Sequence, residues 1–156
     1  MPIGPGPTTG PSVMGVLLSF PHFSTVQPDE WPWLNFTPAE MACKEDGTLE
    51  IHTDFMDKLQ AVRTALAHPM VITSGFRTPE YNRKVSKTSY DGPHTTGRAC
   101  DIKVYGPRML EILALALEHG FTGIGLKQKG PLHLRFIHLD DLDKALGRPR
   151  PWCWTY

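Results

Sequence analysis

From Asp54 to His68 the apolar residues Phe55, Met56, Leu59, Val62 and Leu66 recur at steps of three and four, which predicts an amphipathic helix ended by Pro69. Val71-Ile72-Thr73 is a β-branched run closed by Ser74-Gly75, the pattern of a short buried strand entering a loop. A second helix is expected over Pro79 to Val85, with Thr78 as N-cap and Pro79 in its first turn. Ala99 to Tyr105 reads as a strand. Arg108 to His119 reads as a helix stopped by Gly120, its leucines from Leu110 to Leu117 assigned to the core. Gly123 to Leu126, Leu134 to Asp140 and Trp152 to Tyr156 complete the strands. Helices and strands mix without regular alternation, so the expected class is α+β, a small mainly antiparallel sheet packed with helices.

Ahead of this pattern the chain is irregular. Residues 1 to 12 hold four Pro and three Gly, the composition of an extended or flexible arm. Residues 13 to 50 set Trp31, Trp33, Phe36 and Met41 among prolines and acids, which predicts an irregular segment with a few aromatic anchors and a core beginning near Ile51. The division expected is an N-terminal arm and irregular segment over 1–34 and one folded domain over 35–156. At 156 residues, one domain of this size buries a core without disulfide staples. Cys43, Cys100 and Cys153 are too few and too scattered for a disulfide framework or a thiolate metal cluster.

Sixteen basic residues balance sixteen acidic ones, which removes the electrostatic footprint of a nucleic-acid-binding protein. The first twenty residues lack the basic start of a secretory signal, and the apolar stretch Val13 to Phe20, broken by Gly15, is too short to cross a bilayer. The expectation is a protein made in the cytoplasm without a signal peptide and without a membrane span.

The candidate chemistry lies in two segments. His94-Thr95-Thr96-Gly97-Arg98-Ala99-Cys100-Asp101 runs from a loop into a strand, and Phe136-Ile137-His138-Leu139-Asp140 lies on a later one. Two imidazoles and a carboxylate are ligands that Zn²⁺ accepts, with a fourth position kept for water in catalytic sites. Spacing alone does not make them converge. Gly97 permits a sharp turn, and the small Ala99 permits close packing beneath the ligands.

Together with the run Val71-Ile72-Thr73-Ser74-Gly75-Phe76-Arg77-Thr78-Pro79-Glu80-Tyr81-Asn82, these segments resemble the M15 family of zinc peptidases, which includes D-Ala-D-Ala carboxypeptidases and phage endolysins. The matching motifs are H-x-x-G-x-A-x-D at His94 to Asp101 and F-I-H-x-D at Phe136 to Asp140, within a similarity covering about residues 35 to 156. The resemblance implies a Hedgehog/D,D-peptidase-like fold, zinc held by His94, Asp101 and His138, and water activated by the ion as nucleophile. It also implies that Arg77 contacts substrate or the developing oxyanion; taken by itself, Arg77 reads as a loop arginine or the partner of a structural carboxylate.

Two departures from the family pattern bear on mechanism. Many members place an acid three residues before the last histidine ligand, where this chain has Arg135, which accepts no proton. Some place a histidine five residues before it, which points to His133 as acid/base if a turn brings it to the cleft; otherwise it is a surface histidine. A small insertion, Ser89 to Pro93, precedes His94 and leaves Ser89 and Thr95 as the candidates for recognising a substrate carboxylate. Asp140, two residues past His138, is placed to orient a ligand ring or to lie exposed at a strand end. His22, His52, His68 and His119 read as surface or capping residues.

The function that follows is zinc-dependent hydrolysis of amide bonds in peptidoglycan stem peptides at the bacterial cell wall. The absent signal fits a phage lysin carried in a virion and docked on tail or capsid protein by its arm. The alternative, kept open by Arg135, is a catalytically silent zinc module that binds cell wall or serves an assembly as a structural part.

Overall fold

The computed structural model describes residues 15–145 and 147–156. The Pro/Gly arm of residues 1 to 12 lies outside them. In chain order the elements are β1 (Leu17–Phe20), α1 (Pro38–Met41), β2 (Leu49–His52), α2 (Thr53–Leu66), β3 (Val71–Ser74) and α3 (Pro79–Val85). They continue with β4 (Ala99–Lys103), α4 (Pro107–Glu118), β5 (Gly123–Lys127), β6 (Phe136–Asp140) and β7 (Trp152–Thr155), and short 3-10 turns fill several loops.

A five-stranded sheet of order β3-β4-β6-β5-β7 is antiparallel throughout except for β7, which runs parallel to β5. Alternation of side chains divides it into two chemically different faces. Cys100, Ile102, Ile137, Leu139 and Ile124 join the hydrophobic core with α2 and α4. The opposite face carries Asp101, Lys103, Phe136, His138 and Asp140, and the functional site is built there.

Helix α2 forms as its periodicity predicts, with Phe55, Met56, Leu59, Val62 and Leu66 all buried. It stops at Leu66 because Ala67 turns left-handed, two residues before Pro69. Thr78 caps α3 by accepting from the Tyr81 amide. In α4 the packing face is Met109, Ile112, Leu113 and Ala116, whereas Leu110 and Leu117 are 60% and 58% exposed. The assignment of those two leucines to the core is therefore corrected: a twelve-residue helix on a sheet buries one stripe, and they fall outside it.

The N-terminal segment is more ordered than its composition predicts. β1 pairs antiparallel with β2, and Trp33, Phe36, Met41 and Leu49 belong to the core, well ahead of Ile51. Thr37 and Glu40 form a capping box that starts α1. On the far side, Arg98 ties α2 to the end of β6 by bonding Asp54 and Asp141, and Lys58 also bonds Asp141. No helix among the described residues is long and apolar enough to cross a membrane.

Candidate metal centre

The register of β4 against β6 sets Asp101 directly opposite His138. Directly opposed residues have Cβ atoms about 4.5–5.5 Å apart, so a carboxylate and an imidazole on the same face must meet. His94 arrives from a 3-10 turn, Pro93–Thr96, that ends at Gly97 with φ +72°. A Cβ on Gly97 would lie 2.9 Å from the Glu50 carbonyl oxygen, so glycine lets this turn lie against β2, where the His52 amide donates to the Gly97 carbonyl. The turn is also clamped to the loop after β3, because the Arg77 amide donates to the His94 carbonyl.

The result is a triangle of three donor atoms. His138 Nδ1 lies 3.0 Å from Asp101 Oδ1 and 3.2 Å from His94 Nε2, and His94 Nε2 lies 3.3 Å from Asp101 Oδ1. A tetrahedral ion with ligand bonds of about 2.0–2.1 Å separates neighbouring ligand atoms by about 3.3 Å. The triangle therefore fits one face of such a tetrahedron. All three residues are buried.

The outer contacts settle which ring nitrogens face inward. His94 Nδ1 is 2.7 Å from the Gly75 carbonyl oxygen, and His138 Nε2 is 2.9 Å from Asp140 Oδ2; both partners are acceptors, so these nitrogens donate. His94 Nε2 and His138 Nδ1 then present lone pairs to each other and to a carboxylate. Three acceptors without a hydrogen between them call for a cation, which is the donor chemistry of a metal site.

Charge distribution supports this arrangement. Burial pushes the Asp101 carboxyl up, but His94 and His138 outweigh it and hold the group well below the usual carboxylate range. Burial lowers His94, and Asp101 opposes this only in part. His138 moves the other way: burial is overcome by its hydrogen bonds with Asp101 and Asp140, and its pKa rises.

Asp140, fully buried, is no exposed strand-end acid. Besides His138 it receives Arg150 Nε and Nη2 at 2.9 and 2.8 Å, and against the cost of burial these partners bring its pKa down to about 2. Gly123, opposite it on β5, makes this possible, since a Cβ there would sit 2.2 Å from Asp140 Oδ2. Gly125 does the same for Trp154, whose ring would meet a Cβ at 2.8 Å and whose centroid lies 5.1 Å from that of His138.

Arg77 reaches the site from behind the carboxylate. Its Nη2 donates to Asp101 Oδ2 at 3.3 Å, its Nε to Ser74 and its Nη1 to Asn82, leaving two of its five N–H groups uncommitted among the described residues. Asn82, buried and missed in the sequence, also holds the 86–92 loop through the Thr88 hydroxyl and the Ser89 carbonyl. Ser89 is exposed with φ +59°, and the Thr95 hydroxyl is spent on the Gly92 carbonyl within its own turn.

His133 lies on an exposed 3-10 turn, Leu132–Leu134, and β6 begins at Phe136, two residues later than the expected Leu134. It bonds none of the three ligand atoms and lines a hollow of about 230 Å³ with Thr73, Lys103, Lys127 and Phe136. Arg135 closes the base of this loop by donating from Nε to the Gly130 carbonyl. Two other histidines are caps: His22 accepts from the Ser24 amide, and the ring of His119 bonds the Leu115 carbonyl at the end of α4. A larger hollow of about 560 Å³, lined by Lys144, Ala145, Gly147, Arg148 and Pro149, contains none of these groups.

No curated protein matches the chain significantly. The family model described as Peptidase M15 matches residues 34–140, which include Arg77, His94, Asp101 and His138. With more than half of its length matched, the chain belongs to the peptidase M15 family of zinc-dependent metallopeptidases.

Proposed function

We propose that the protein hydrolyses amide bonds in the stem peptides of bacterial peptidoglycan, with His94, Asp101 and His138 holding one zinc ion. The observation that carries this reading is the convergence of two lone-pair nitrogens and a carboxylate oxygen at 3.0 to 3.3 Å, in a chain of this family. Zinc bound there would supply a Lewis acid and lower the pKa of a coordinated water from about 15.7 toward about 7.

The rest of the chemistry falls to this chain's own residues. Gly75 and Asp140 fix the two imidazole rings, and Arg77 holds the second oxygen of Asp101. The two uncommitted N–H groups of Arg77 are available to a substrate carbonyl as charge develops on its oxygen. His133 is the group proposed to carry a proton to the leaving amine from the hollow beside the site. Asp140 is unsuited to that task, because His138 and Arg150 already occupy both its oxygens.

The Pro/Gly composition of residues 1 to 12 supports, as part of the same reading, a phage-encoded lysin whose arm docks on a tail or capsid protein. Arg135 in place of an acid keeps the silent zinc module as the rival reading. Purified peptidoglycan digested with and without chelator, its fragments identified by mass spectrometry, separates the two. Chelator-sensitive release of new amino termini is expected, and an unchanged wall alongside stoichiometric zinc would favour the rival.

A further inference from the structure

The row of residues next to the metal ligands on the same sheet face has no part in the reading above. Two pairs along from Asp101 and His138, and so on the same face, the register sets Lys103 opposite Phe136, and Phe136 opposite Lys127 on the other side. Two residues of strand advance about 6.6 Å, so this row begins roughly one substrate residue away from the ligand triangle. The Tyr156 ring lies against Phe136, with centroids 5.0 Å apart, at the outer end of the row.

This row bounds the hollow of about 230 Å³, whose lining includes three basic side chains, Lys103, Lys127 and Arg135, and no acid. None of the three has a carboxylate within 4.0 Å among the described residues. Arg135 spends one donor on a carbonyl, and Lys127 is half-buried with its ammonium 5.8 Å from the centroid of the Phe136 ring. On the β3 side the hollow is lined by Thr73, where the register of β3 against β4 shifts. Cations gathered round a concavity without counter-charge attract an anion, and two ammonium groups flanking an aromatic floor suit a carboxylate on an apolar stem.

We propose that this hollow is a carboxylate subsite, in which Lys103 and Lys127 bind an acidic group of the substrate within about two residues of the scissile bond. The inference rests on the peptidase reading and names the charge of the substrate that site takes. Exposed ion pairs contribute up to about 1 kcal/mol each, so two together change kcat/KM by about five- to twentyfold.

The test uses the zinc-loaded full chain and three synthetic stem pentapeptides, L-Ala-γ-D-Glu-L-Lys-D-Ala-D-Ala. One carries both free carboxylates, one has the D-Glu α-carboxyl amidated, and one has the terminal carboxyl amidated. One amidation is expected to lower kcat/KM by about five- to twentyfold, by less at high salt. Lys103→Gln/Lys127→Gln should lose the same factor on the free acid and cease to distinguish that pair, while Lys103→Arg/Lys127→Arg retains the preference. Zinc content and thermal unfolding of both variants establish that they are folded. Turnover of all three peptides without preference, or a preference unchanged in the glutamine variant, overturns the subsite alone. Turnover of none by the unmodified protein overturns the peptidase reading and the subsite with it.

Discussion

Asp140→Asn separates support of the metal ligands from the ligands themselves. The carboxylate is fully buried, 2.9 Å from His138 Nε2, and takes two donors from Arg150, whose side chain is 6% exposed. An asparagine keeps the shape but offers one acceptor oxygen where four donors converge, the Leu142 amide being the fourth, and turns its NH₂ toward another donor. Removing one partner of a buried ion pair costs about 3–5 kcal/mol, because the other charge is left in low dielectric. Asparagine retains one of the bonds, so about 2–4 kcal/mol is expected in denaturant unfolding of the metal-free protein. Loss of the group that fixes His138 as an Nδ1 ligand should weaken zinc binding by about 10–100-fold. Competition with a chromophoric chelator measures that change directly. Native zinc affinity in folded Asp140→Asn would refute the claim that Asp140 sets the tautomer of His138.

Zinc affinity should fall on acidification. His138 is raised above its ordinary value and must lose a proton to bind, whereas His94 is lowered and stays neutral. Below the raised His138 value, each pH unit should cost up to about tenfold in apparent affinity with one proton displaced per zinc, and a flat profile between about pH 8 and about pH 6 would contradict this. The matching contribution of protonated His138 to metal-free stability is full below its unfolded pKa and disappears as pH rises through the folded value. Asp140 behaves oppositely: its contribution is present above the ordinary 3.8 and is lost as pH falls toward about 2, seen as a loss of unfolding free energy in acid. Gly97→Ala should destabilise by about 1–2 kcal/mol or more, since the left-handed backbone and the Glu50 carbonyl both oppose a Cβ; unchanged unfolding would remove that constraint. His133→Ala should keep stoichiometric zinc and lose about a hundredfold in turnover, and Arg135→Ala should lose much less; near-native turnover in zinc-loaded His133→Ala would take that residue out of the mechanism.

The helices and the α+β class were legible because their signals are local: an apolar stripe in α2, a Thr-Pro start in α3. The convergence of His94, Asp101 and His138 was legible only through residue types set in ordered motifs, since the strand register joining β4 to β6 spans 37 residues from Asp101 to His138. The supporting contacts were less accessible. Nothing local tells that Arg150 returns to Asp140, that Trp154 lies against His138, or that Arg77 grips Asp101 Oδ2. One signal could have helped: Gly123 and Gly125 alternate within a strand, where glycine marks a close approach, and each clears space for a group bearing on His138. The β1–β2 pair was hidden by a proline-rich composition, although Thr37 and Glu40 already spell a capping box. Leu110 and Leu117 show the reverse error, hydrophobic residues left largely exposed among the described residues.

The most direct test of the account is a zinc titration of chelator-stripped protein in which bound metal and peptidoglycan hydrolysis are followed on the same samples. Turnover should rise in proportion to bound zinc and level off at one ion per chain, with His94→Ala, Asp101→Ala and His138→Ala each folded but unable to follow. Zinc bound to one equivalent without hydrolysis, or hydrolysis that persists without zinc, would contradict it.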